Sequence, residues 1–237
     1  MTHVPDGAAI PSPDEERRAV GASGGGGADG VAAADGGVLP CALLTSRLRL
    51  TPVAAADEAE LFALHADPRA FAEDSTTPLT DPAQMRWVLA QWRESWARHG
   101  IGYVCVRARE GAQSTGARPT GARDELPPGL LGVVGLAPLT TGAGEELLSA
   151  YWRLSPAVTG RGVATEAMSA LLADPHLGPG NREVVAITAA GNGPSRALAA
   201  RLRFRSAPSD GPVPGGRPDD VLLVRPGGAP PGRTPAP

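Results

Sequence analysis

The chain contains no lysine; all 22 of its basic residues are arginines. A Walker-type phosphate loop needs its lysine, and Schiff-base or pyridoxal chemistry needs a lysine amine, so both are excluded. Cysteine is almost as scarce. Cys41 and Cys105 are the only two, and they stand too far apart for a metal-ligand spacing or a disulfide framework. The four histidines, His3, His65, His99 and His176, are scattered, which argues against a zinc site, and no metal is expected. No apolar run is long enough to cross a bilayer; the strongest, "LLGVVGLAPL" at 130–139, is too short. The N-terminus lacks the basic region and apolar run of a signal peptide. A net charge of −3 supports neither a general nucleic-acid binder nor a membrane-surface binder. The expectation is a soluble, cytoplasmic protein.

What the chain does have is glycine and proline, 31 and 25 residues, unevenly spread. Residues 1–42 include "GASGGGGADGVAAADGG", which cannot bury enough apolar surface to offset its ordering entropy. This segment and residues 227–237 read as disordered tails around one domain, 43–226. Within the domain, the near-repeat "TGARPTGAR" places a low-complexity hairpin loop at 110–129.

The rest alternates between strand and helix patterns. Strand-like runs lie at 47–53, 102–108, 130–139, 147–154, 183–189 and 219–226. Helix patterns cover 57–67, 81–100, 163–172 and 194–202. The second has the clearest boundaries. Asp81 can cap, Pro82 suits the first helical position, Gln84 completes a capping box and Gly100 ends the helix. Trp92 and Trp96 share its apolar face and read as core. The order β-α-α-β-β-β-α-β-α-β makes an α/β (α+β) fold, a mixed sheet with helices on it.

The stretch "TGRGVATEA", 159–167, follows a strand and opens a helix. Helix starts carry free N–H groups and a positive dipole end, and glycines let the backbone curl around an anion. An ordinary strand-to-helix turn would use glycines as well. A dinucleotide-binding unit fits poorly: Thr165 stands at its third glycine, and Glu183 precedes the next strand where an acid should end it.

A second stretch, "NGPSRALAARLRF" at 192–204, follows the next strand. Together with "SPAVTGRGVATEAM" it resembles the GNAT acyltransferase superfamily, which transfers acyl groups from coenzyme A to amines. "LLTSRLRLTPVAAADEAELFALHADPRAF" resembles the opening of the branch that acetylates ribosomal-protein N-termini and small amines. The resemblance covers roughly 45–225. It departs from the family at Thr159, where Gln, Arg or Trp is usual, and at Arg203, where glycine is usual.

The resemblance implies a mostly antiparallel sheet of about six or seven strands with about four helices, and acetyl-CoA as cosubstrate. Leu154, Thr159, Gly160, Arg161, Gly162, Val163, Ala164, Thr165, Asn192 and Ser195 would hold the coenzyme, backbone N–H groups from Gly160 to Thr165 taking its diphosphate. The reaction would be direct attack of a primary amine, on a peptide N-terminus or a small molecule, on the thioester. Glu146, beside Glu145, would take the amine proton, and Tyr151 or Ser195 would protonate the thiolate. Glu73 and Asp74 would meet a cationic acceptor. The rival readings are a non-catalytic acyl-CoA sensor of the same fold and a nicotinamide-dependent enzyme. Monomer and homodimer are both open.

Overall fold

The computed structural model describes residues 42–74, 76–110, 125–141, 144–207, 213, 217 and 219–227. Apart from residues 42 and 227, the expected tails lie outside the described residues, as do residues 111–124 of the expected hairpin loop.

Eight strands form one sheet: β1 (Leu43–Leu44), β2 (Leu48–Pro52), β3 (Tyr103–Ala108), β4 (Leu130–Thr140), β5 (Glu146–Leu154), β6 (Val184–Ala189), β7 (Arg205–Ser206) and β8 (Asp220–Arg225). The spatial order is β1-β2-β3-β4-β5-β6-β8-β7. Every neighbouring pair is antiparallel except β5 and β6. Four α-helices among the described residues pack with the sheet: α1 (Glu58–Ala66), α2 (Pro82–His99), α3 (Val163–Ala173) and α4 (Gly193–Arg201). The expected six or seven strands become eight because β1 and β7 are two-residue pieces, too short to show any periodicity.

Local chemistry accounts for the helix ends. The Asp81 carboxylate accepts from the Ala83 N–H, and Gln84 Oε1 accepts from the Asp81 N–H, closing the capping box of α2. Gly100, at φ +63°, ends the helix in the left-handed conformation. Arg203 holds the same kind of position after α4, at φ +69°. Its N–H donates to the Ala200 carbonyl and the Phe204 N–H to the Ala199 carbonyl. This is a Schellman ending built on arginine, so α4 closes as it would with glycine, at some conformational cost.

Alternation along the strands sends successive side chains to opposite faces. Tyr103 and Tyr151 face α1 and α2. Trp92 of α2 stacks on Tyr103 at 4.5 Å, and the Trp96 indole donates to the Tyr103 carbonyl. Both tryptophans are buried, as expected. Trp152, one residue along β5, points the other way, toward α4. No described helix is long and apolar enough to cross a membrane.

Candidate active site

The parallel pair β5–β6 is joined only through Leu148 opposite Val184 and Ser149 opposite Val185. Past these residues the ladder stops. β5 continues beside β4, and β6 beside β8. The facing edges of 150–154 and 186–189 therefore present backbone groups to each other across a gap. A cleft of about 770 Å³ passes through this opening. It is lined by both faces of β5, including Tyr151 and Arg153 on one side and Trp152 and Leu154 on the other.

At one end lies the loop between β5 and α3. Gly160 and Gly162 both sit at φ +75°, a left-handed conformation that disfavours any side chain bearing a Cβ. Gly162 is the residue before α3, so the N–H groups of Gly162, Val163, Ala164 and Thr165 have no helical acceptor. With Gly160 they are the donors of a candidate anion cradle at a helix N-terminus. Thr159, Gly160, Gly162, Val163, Ala164 and Thr165 all line the cleft. Arg161 does not. Its N–H is committed to the Val158 carbonyl, and its guanidinium turns away to the Glu125 carbonyl. The expected unbroken run of donors from Gly160 to Thr165 is thus interrupted at Arg161. Thr159 also spends its N–H, on the Pro156 carbonyl.

The cradle is bolted to the β1–β2 turn. Glu166, in the first turn of α3, accepts hydrogen bonds from the Thr45 and Ser46 hydroxyls, the Arg47 N–H and the Arg47 guanidinium. Arg47 Nη2 also donates to the Arg161 carbonyl at 3.2 Å. Burial pushes the Glu166 carboxyl up, but the bonds from Thr45, Arg47 and Ser46 outweigh it and hold it below its usual value. The carboxylate beneath the cradle is therefore matched by a cation.

On the α4 side, Asn192 caps the helix, its Oδ1 accepting the Ser195 N–H at 3.0 Å. The Ser195 hydroxyl oxygen accepts the Trp152 indole N–H at 3.1 Å. Asn192, Trp152 and Ser195 line the cleft together, as does Arg201 at the other end of α4.

The α1–α2 side carries a network that sequence reasoning missed. His65 is fully buried. Its Nδ1 lies 2.7 Å from the Leu61 carbonyl, which can only accept, so the proton is on Nδ1 and Nε2 carries a lone pair. Tyr151, 3.1 Å away, donates its hydroxyl proton to that lone pair. Arg153 Nε donates to the Tyr151 oxygen, Nη1 to the Ala70 carbonyl and Nη2 to Asp74. The guanidinium lies 3.6 Å above the Phe71 ring. Burial pulls His65 down to about 4, so the ring is neutral. Burial also raises the Tyr151 phenol. The expected donation from Tyr151 to a thiolate conflicts with this arrangement, because the hydroxyl proton is already held by His65.

The expected acceptor residues separate. Asp74 spends its carboxylate on Arg153 and the Thr76 N–H. Glu73 is exposed at the cleft wall. The Thr76 hydroxyl lines the same region, buried and without a partner among the described residues. Glu145 and Glu146 stand exposed at the start of β5, and neither lines the cleft. Arg217 and Asp220, unforeseen, line it from the approach to β8. Alternation places Arg153 with Tyr151, and the spacing of Leu61, Leu64 and His65 marks the inner face of α1. Those two signals could have found the missed pair. Among the described residues no group of three or more His, Cys, Asp or Glu converges as a metal site.

The sheet is opened between two parallel strands, and a glycine-led helix N-terminus lies beside the opening. The acetyltransferase (GNAT) domain family matches residues 47–205, and the chain belongs to this family. Among solved structures it is similar to a Bordetella pertussis protein assigned to the GnaT acetyltransferases, with 28% identity, TM-score 0.58, and 78% of this chain and 99% of that one covered. An acetyltransferase from Agrobacterium tumefaciens shares 20% identity at TM-score 0.56, covering 84% and 99%. RimL, a ribosomal L7/L12 alpha-N-protein acetyltransferase solved with coenzyme A, shares the fold at 15% identity and TM-score 0.57, covering 78% and 97%. No curated protein matches the chain.

Proposed function

We propose that the chain is an acetyl-CoA-dependent N-acetyltransferase acting on a primary amine, a peptide N-terminus or a small molecule, in the cytoplasm. The observation that carries this reading is the convergence of the cradle amides, the open β5–β6 edge and Ser195 on one cleft. The amides of Gly160 and Gly162–Thr165 would hold the coenzyme diphosphate. Neither Gly160 nor Gly162 offers a Cβ to fill that space. The edges of 150–154 and 186–189 suit the amide-rich pantetheine arm, and Leu154 supplies apolar wall.

The acyl donor would then meet the amine near Tyr151. The amine enters along 67–82, where Glu73 offers an exposed carboxylate to an ammonium group or to the proton it sheds. The nitrogen lone pair attacks the thioester carbon, and the C–S bond breaks with its electrons going to sulfur. Ser195 is the proton donor on the sulfur side. Tyr151, whose proton His65 holds, presents oxygen rather than hydrogen and orients its neighbours. Direct transfer agrees with the state of Cys105. That thiol is buried, pushed up to about 12 mainly by burial, and absent from the cleft wall, so it does not serve as an acyl carrier.

The test is thermal shift with acetyl-CoA, free coenzyme A and NAD, followed by thiol release with peptides, amino acids, polyamines and amino sugars. Stabilisation by both coenzymes and not by NAD, with turnover of at least one amine, supports the reading. No shift with either coenzyme refutes it. A shift without turnover would leave the acyl-CoA sensor.

A further inference from the structure

We infer that Trp152 is a positioning residue for acyl transfer, aiming the Ser195 hydroxyl proton at the departing sulfur. The inference rests on the acetyltransferase reading above and deepens it.

A serine hydroxyl has one hydrogen and two acceptor lone pairs, and left alone it rotates to suit its surroundings. The Trp152 indole N–H can only donate. At 3.1 Å from Ser195 Oγ it occupies a lone pair and confines the hydroxyl proton to the remaining two directions. The Ser195 N–H is already taken by Asn192, so the residue is pinned from two sides. No acceptor for the hydroxyl proton is found among the described residues. That hydrogen and the second lone pair of Oγ are the parts of the hydroxyl left without a partner, and the residue lines the cleft.

Trp152 is itself held. It belongs to β5, paired opposite Val134 of β4, and the Phe204 ring meets it edge-on at 6.2 Å. Phe204 closes the Schellman ending of α4. One aromatic contact therefore ties the far end of α4 to the side chain that orients its first turn. This makes the hydroxyl a preorganised donor toward developing charge. In the step it serves, the C–S electron pair becomes a thiolate, and the Ser195 proton moves to sulfur. The hydroxyl is refilled from water carrying the proton shed by the amine nitrogen, so no net proton is gained or lost.

Trp152→Phe keeps the ring and deletes the N–H. With acetyl-CoA and the amine selected by the panel, it should lower kcat about tenfold while leaving the KM for acetyl-CoA within about threefold. In a Ser195→Ala background the same change should cost almost nothing, because the two residues act as one unit. A second readout needs no turnover. The Trp152 indole N–H resonance should move in Ser195→Ala, as expected when its acceptor is removed. Should Trp152→Phe fail to fold, Trp152→Leu, which also lacks the N–H, with and without Ser195→Ala carries the same comparison. Losses of equal size in both backgrounds, or an unmoved indole resonance, overturn the inference while leaving the acetyltransferase reading intact. No turnover of acetyl-CoA by the native chain with any amine overturns both.

Discussion

Replacing Arg47 by methionine tests whether the cradle is held from outside. The change keeps the apolar stem and deletes the guanidinium. Glu166 then loses its ion pair, with Nη2–Oε2 at 2.7 Å, and the Arg161 carbonyl loses its donor. Hydrogen bonds to charged groups contribute about 1.5–3 kcal/mol, and exposed ion pairs only about 0.2–1 kcal/mol. The two side chains are 33% and 17% exposed, between those limits, and Glu166 keeps Thr45, Ser46 and the Arg47 N–H as donors. A loss of about 1–2 kcal/mol follows, or roughly 3–6 °C in Tm for a domain of this size. The sign of its pH dependence is set by Glu166, whose folded-state pKa is depressed below 4.5. Stability from such a group is present above the unfolded value and lost as pH falls through the folded one. The gap between native and Arg47→Met in urea denaturation should therefore be largest near pH 7 and narrow toward pH 2. Acetyl-CoA affinity at pH 7 should also fall, since an unmatched carboxylate would sit beneath the diphosphate. An equal gap at all pH values, or unchanged coenzyme affinity, would refute the reasoning.

Three further outcomes are expected. His65 titrates near 4 when folded and near 6.5 when unfolded, so the unfolded chain binds the extra proton between those values. Native stability should fall across that window by at most about 3 kcal/mol, and His65→Leu should flatten this part of a urea-denaturation pH profile. Gly162→Val should cost about 1–2 kcal/mol of stability because φ is +75°, yet leave a folded chain that acetyl-CoA no longer protects in a thermal melt. Protection of native size would remove the cradle assignment. Arg203→Gly relieves the φ of +69° and should raise stability by about 0.5–1 kcal/mol in denaturant titration, with activity unchanged.

The order of the principal elements was legible because each depends on near neighbours. The caps of α2, the alternation in β2 and the β-branched run of β6 are set within a few residues, and the observed spans follow. The glycines before α3 and the Asn192–Ser195 spacing were visible for the same reason, since the chemistry of a helix end is local. The two-residue strands β1 and β7 carried no such signal, and pairing alone defines them.

Sequence by itself determined which residues could open a helix onto an anion, and the absence of lysine narrowed the kind of phosphate site. Only the tertiary structure decided which of them line the cleft with an uncommitted N–H. It turned Arg161 outward, left Glu146 at the far end of β5, and gave Tyr151 a partner for its proton. The decisive bonds join residues far apart in the chain: Arg47 to Glu166 across 119 positions, His65 to Tyr151 across 86, and Trp152 to Ser195 across 43. No periodicity reports such pairs. They exist because packing the helices against the sheet brings them together, and a hydrogen bond acts only where donor and acceptor come within about 3 Å.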